Sequence, residues 1–187
     1  MLKKPMTLSI FAFAIFGSAY LYAQNSTPSS QAKPQAIAQL DVQRYMGQWH
    51  EIARLPVSFQ KKCSHDITAN YSLNPDKTVR VVNTCRTKEN DIKSAEALAK
   101  SVNEGNSKLK VSFLPKGLRW IPFTKGDYWV LRIDPDYQTV LVGGSSHKYL
   151  WILSRQPHID ESVYQDYLKT AQQQGYDTSK LIRNPQK

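Results

Sequence analysis

Only two cysteines, Cys63 and Cys85, occur in 187 residues. The four histidines, His50, His65, His147 and His158, form no HxxxH pair, and zinc-binding spacing is missing. A metal centre of familiar spacing is therefore excluded. The apolar run Leu8 to Phe16 falls short of the ~20 residues that a membrane-crossing helix needs. Internal repeats are lacking too. Lys and Arg number 25 against 15 Asp and Glu, a formal charge of +10, yet no extended basic block or helix-turn-helix pattern accompanies that excess. Nucleic acid is a poor match for such scattered charge. An anionic lipid headgroup or membrane surface suits it better.

Catalytic sets are also lacking. Gly143-Gly144-Ser145-Ser146 precedes His147, but neighbours on one turn do not make a triad. No strand-Ser-helix elbow surrounds them. Nothing positions an inward axial histidine for haem. The expectation is a protein that is not an enzyme and needs no cofactor.

Residues 1–23 read as an export signal. Lys3 and Lys4 give a positive start, the apolar run follows, and cleavage fits after Ala23 or after Ala19. Residues 24–37, rich in Ser, Pro and Gln, read as a flexible linker. The domain proper is expected over 38–187, with a short helical turn at 41–45.

From Gly47 to Arg155 short strands alternate with turn signals, an all-β pattern. Strands are predicted at 48–56, 66–73, 78–86, 93–102, 107–113, 127–133, 138–143 and 148–155. Turns are expected at 74–77, 103–106, 134–136 and 143–146. Eight strands can close into a barrel that holds one small ligand. Helical periodicity occurs once, over 160–174. Val163, Tyr167 and Ala171 share a face, Asp160 suits the cap and Gly175 the stop. This helix should lie outside the barrel, on Leu150 and Ile152 and on Val140 and Val142. A short strand at 179–183 could follow.

Side chains alternate across a strand, so the inner face can be read. Leu109, Val111 and Phe113 alternate with polar neighbours, as do Val79 and Val81 around Arg80. Ala95, Ala97 and Ala99 share one face. Tyr149, Trp151 and Leu153 oppose Leu150 and Ile152, and Leu141 and Gly143 oppose Val140 and Val142. Ala53 and Tyr71 complete the expected lining from the first two strands. Strand 127–133 is apolar on both faces. Either Arg132 points in, with Glu51 as partner, or Trp129 does. The interior is a filled core or a pocket.

Gly47-Gln48-Trp49 opens the first strand, Asp134-Pro135-Asp136-Tyr137 joins two late strands, and Ser154-Arg155 ends the last. These occur in the order of the three lipocalin signature regions. The strings Trp49 to Arg54, Tyr71-Ser72-Leu73, Lys110 to Phe113 and Tyr149 to Arg155 resemble the bacterial, apolipoprotein D-like subfamily of the lipocalins. The likeness covers about residues 38 to 184. It implies an eight-stranded antiparallel up-and-down β-barrel with a C-terminal α-helix packed outside. Gly47, Trp49, Asp134, Tyr137 and Arg155 become structural signature residues, and Tyr128 and Val130 are placed inward. A pocket rather than a filled core is implied. The implied function is to carry a fatty acid or lysophospholipid for storage or transport in membrane maintenance. Many bacterial relatives carry a lipid-attachment cysteine after the leader. None stands near residue 23 here, so an exported protein, periplasmic or secreted and without that anchor, is expected. Oligomeric state stays open, a homodimer included.

Up-and-down order gathers the loops at 57–65, 87–92, 114–126 and 144–147 at the end opposite Trp49. Basic residues there include Lys61, Lys62, Lys116, Arg119, Lys125 and His147, and the aromatics are Phe59, Trp120 and Phe123. Phe59, Lys62, Arg119, Trp120 and Phe123 are the expected portal. Cys63 and Cys85 nearly face each other across the hairpin at 74–77, and an exported pair favours a disulfide. The alternative is a reactive thiol.

Overall fold

Residues 32–119, 121 and 124–187 are described by the computed structural model. The expected leader, the linker up to residue 31, and Trp120 and Phe123 lie outside the described residues. Residues 32–37 form neither helix nor strand. Two of their amides are nonetheless tied down: Gln35 donates to the Gln174 side chain at 2.8 Å and Ile37 to the Val130 carbonyl at 2.9 Å.

Helix α1 (Val42–Tyr45) leads into β1 (Gly47–Arg54). There follow β2 (His65–Leu73), β3 (Val79–Arg86), β4 (Ile92–Ser101), β5 (Lys108–Ser112), β6 (Gly126–Ile133), β7 (Thr139–Gly143) and β8 (Trp151–Ser154). Each strand pairs antiparallel with the next, and β1 pairs with both β2 and β8, which closes the ring. Closure leaves no sheet edge between first and last strand. Helix α2 (Glu161–Gln173) packs outside, and β9 (Ile182–Arg183) adds to β1.

Local chemistry explains the punctuation. In the β2–β3 hairpin Asn74 and Thr78 pair through their backbones, and Asp76 accepts from the Thr78 amide. Asp134 accepts from the amides of Asp136 and Gln138, which builds the β6–β7 turn. Gly47 sits at φ +92°, in the left-handed region that glycine tolerates, so the chain can turn from α1 into β1.

Two apolar layers result. One fills the closed end of the barrel around Trp49, Val130, Val140 and Leu153. The other lies between barrel and α2, where Tyr164, Tyr167 and Ala171 meet Leu131, Leu150 and Ile152. Asp160 occupies the helix N-cap position, but its side chain makes no capping bond.

The second layer corrects three expected inward residues. In β7 it is Val140 and Val142 that face the interior, opposite Leu153 and Trp151, while Leu141 faces α2. Gly143 also lies on the helix side, where an added Cβ would fall 2.2 Å from the Tyr176 hydroxyl. Ala53 belongs to that layer as well. A register shift between Glu51 and Ala53 sends Ile52 and Ala53 both outward. A second shift, between Val130 and Arg132, does the same to Leu131 and Arg132. Arg132 therefore lies over the Tyr167 ring at 4.2 Å and bonds Asp166 and Thr170. Trp129 is outside too, beneath Lys108 at 4.4 Å. Neither faces the cavity.

Candidate functional site

The inner faces of the strands enclose a cavity of about 900 Å³. That lies near the upper end of ordinary ligand sites. Tyr71, Val79, Val81, Leu109, Val111 and Tyr128 line it, with Ala69, Ala95 and Ala99 providing depth. Phe113, Tyr149 and Trp151 complete the wall toward the mouth, and Leu153 borders the cavity nearer the closed end. Ala97 shares the face of Ala95 but is covered by its neighbours, and Val130 packs nearer the closed end, so neither borders the open space.

The closed end is braced by the signature residues. Trp49 is fully buried, and its indole N–H donates to the Tyr45 carbonyl at 2.9 Å. The Arg155 guanidinium lies 3.9 Å from the Trp49 ring centre. It also donates to the carbonyls of Gln48, Arg44 and Met46, each at 2.8 Å. Tyr137 accepts from the Asp41 amide at 3.0 Å and carries Arg44 over its ring at 4.1 Å. The last strand is thereby fastened to α1 and the start of β1.

Three hydroxyls meet at the cavity floor. Tyr128 Oη lies 2.6 Å from Tyr45 Oη and 2.8 Å from Tyr71 Oη. Burial pushes all three phenols well above their ordinary range, so they stay protonated.

A second polar group lies on the wall. Glu51 accepts from Gln60 at 2.8 Å and from Asn184 at 2.7 Å, and Arg54 Nε stands 3.6 Å away. Burial raises the Glu51 carboxyl from 4.5 to about 7, opposed by Gln60, Arg54 and Asn184. Gln60 in turn accepts from the Trp151 indole at 3.4 Å. This chain ties the 3-10 turn Ser58–Gln60 to the wall beneath it.

The mouth carries Lys61, Lys62 and Lys93 on the lining. Phe59 and Ile92 are exposed by 62% and 65%, and Phe113 by half. Of the acids nearby, Asp127 pairs with Lys110 at 2.5 Å and Asp66 with Arg86 at 3.6 Å. Cys63 and Cys85 form a disulfide that joins the first loop to β3. One expected portal residue, Arg119, and one basic residue expected at the same end, His147, lie elsewhere. Arg119 donates to the Leu114 carbonyl at 2.8 Å and sits on the outer wall near Leu98. His147 bonds the Gln174 carbonyl at 2.9 Å and packs its ring on Tyr176, at the end of α2.

Sequence reasoning missed Tyr45 and Gln60 as lining residues and weighed Glu51 only as an inward partner for Arg132. The parity of Glu51 with Trp49 was the one available signal. Tyr45 and Gln60 lie outside the strands, where alternation has no meaning.

Among the described residues no group of His, Cys, Asp and Glu is arranged to hold a metal. A family model described as a lipocalin-like domain matches residues 40–186. Temperature-induced lipocalin-1 of Arabidopsis thaliana is 46% identical over 149 residues, 79% of this chain and 80% of that protein. Outer membrane lipoprotein Blc of Escherichia coli (strain K12) is 34% identical over 167 residues, 88% of this chain and 90% of that one. The insecticyanin structure from the tobacco hornworm Manduca sexta matches with a TM-score of 0.62 at 22% identity, over 82% of this chain and 83% of that one, a likeness of fold. With barrel, cavity, signature residues and relatives in agreement, the chain belongs to the lipocalin family, whose barrels carry small hydrophobic ligands.

Proposed function

We propose that this lipocalin carries a single-chain lipid, a fatty acid or lysophospholipid, for storage or transport in membrane maintenance. The observation that carries the reading is the apolar cavity of about 900 Å³ with Lys61, Lys62 and Lys93 at its mouth. An acyl chain gains roughly 0.8 kcal/mol for each CH₂ taken from water. Part of that is offset by the cost of immobilising a flexible ligand. The lysines suit a carboxylate or phosphate head at the opening. Exposed Phe59, Ile92 and Phe113 beside those lysines suit loading at an anionic membrane surface. The likeness to a protein named outer membrane lipoprotein supports a setting in the cell envelope.

The test is to express the chain from its own leader and purify it without detergent. Its mass is then measured under native conditions and again after solvent extraction. Loss of mass as a fatty acid or single-chain phospholipid is the expected result. If no lipid is released and added lysophospholipid leaves Trp emission unchanged, the carrier reading falls.

A further inference from the structure

Three tyrosines, two buried and one partly buried, meet where an apolar cavity would be expected to end in hydrocarbon. Tyr45 comes from α1, Tyr71 from β2 and Tyr128 from β6, and all three line the cavity. Their hydroxyls form a chain of two contacts, Tyr45 to Tyr128 at 2.6 Å and Tyr128 to Tyr71 at 2.8 Å. Each hydroxyl carries one proton. Two contacts use two protons, whichever way they run. The third O–H has no acceptor among the described residues. It belongs to a trio set inside the barrel, with Tyr45 and Tyr71 buried and Tyr128 partly so, and a buried donor without a partner is unfavourable.

We propose that this trio is a hydrogen-bonding subsite for an oxygen atom at the far end of the ligand. This deepens the carrier reading and rests on it. The ligand class becomes a lipid with its anionic head at the mouth lysines and a hydroxyl or carbonyl oxygen along or at the end of its chain. A neutral oxygen is the simplest match, since the trio itself carries no positive charge. Arg155, at this end, lies against Trp49 and bonds three backbone carbonyls, so it is not turned to the cavity, while Lys77 of the β2–β3 turn borders the lining. The phenols themselves are held protonated by burial. A ligand hydroxyl or carbonyl would accept the spare proton and displace any water held there. A plain hydrocarbon end would leave the proton unpaired.

The experiment uses displacement of a bound fluorescent polyene fatty acid, cis-parinaric acid. The competitors are hexadecanoic acid and its 12-hydroxy and 16-hydroxy forms. One net hydrogen bond predicts that at least one hydroxy acid competes roughly threefold to tenfold better than the parent acid. The variant Tyr45→Phe/Tyr71→Phe/Tyr128→Phe should abolish or reverse that preference, read as the ratio of the competitors' potencies on the same protein. Replacing mutually bonded hydroxyls by apolar groups of the same shape is close to neutral for folding. If the variant does not fold, the wild-type comparison alone decides. Hexadecanoic acid competing at least as well as both hydroxy acids would overturn the subsite and leave the carrier reading standing. Failure of every fatty acid to bind would overturn both.

Discussion

Arg155 covers Trp49 at 3.9 Å while its N–H groups reach three carbonyls of α1 and the start of β1. One side chain thus performs two tasks at the closed end: it stacks on the indole and it donates to backbone carbonyls of the segment that leads from α1 into β1. Arg155→Ala should cost about 2–3 kcal/mol, measured by urea unfolding. Arg155→Lys should recover little, because an ammonium cannot stack flat and reach three carbonyls together. Full rescue by lysine would show that charge alone matters.

The two faces of the wall predict opposite phenotypes. Ala99 borders the cavity, and Leu141 lies under α2. Ala99→Phe puts a ring into open space. It should lower lipid binding at least tenfold and change stability by only about 1 kcal/mol. Leu141→Ala empties a packed layer and should cost about 2–4 kcal/mol with ligand affinity little changed. Lipid uptake and thermal unfolding on both variants check this. An exchange of the two outcomes would put Leu141 inside the barrel.

Stability should depend on pH through Glu51. Burial raises its folded pKa from 4.5 to about 7, so the folded state holds a proton that the unfolded chain has lost. That contribution is complete below pH 4.5 and is lost as pH rises through 7. The change should amount to about 2–3 kcal/mol at most. Glu51→Gln should flatten the profile over this window and be the more stable form at pH 8. Denaturant midpoints from pH 4.5 to 8 are the measurement. A midpoint that climbs with pH in the wild type alone would contradict the assignment.

The mouth lysines predict salt-sensitive contact with lipid surfaces. Lys61→Glu/Lys62→Glu/Lys93→Glu reverses three charges, each worth about 1 kcal/mol near an anionic surface. Sedimentation with vesicles of phosphatidylcholine and phosphatidylglycerol should fall by more than tenfold. Pure phosphatidylcholine vesicles should retain little of either protein. Equal retention on both vesicle types would remove the electrostatic contact.

The strand order, the turns and the external helix were legible before any coordinates. β3 and β5 alternate apolar and polar residues because one face meets water, and Asn, Asp, Pro and Gly mark the reversals between them. The disulfide was legible from two cysteines near facing positions of one hairpin. Arg119 and His147 were misplaced for a different reason. Loop residues follow no period, and their partners, the Leu114 carbonyl and the end of α2, come from the folded path.

The sequence by itself determined eight strands with an apolar inner face, because period-two patterning and turn chemistry are local, and closure into a barrel rather than a sandwich followed from the likeness to the lipocalins. Only the tertiary structure decided which way β7 faces. Val140, Leu141 and Val142 are all apolar because one side meets the barrel interior and the other meets α2, and burial on both sides erases alternation. The shifts at Ile52 and Leu131 reverse parity through pairing with distant strands. The tyrosine trio depends on closure as well. Its members lie 26 and 57 residues apart in sequence, and only a closed ring brings α1, β2 and β6 to one floor.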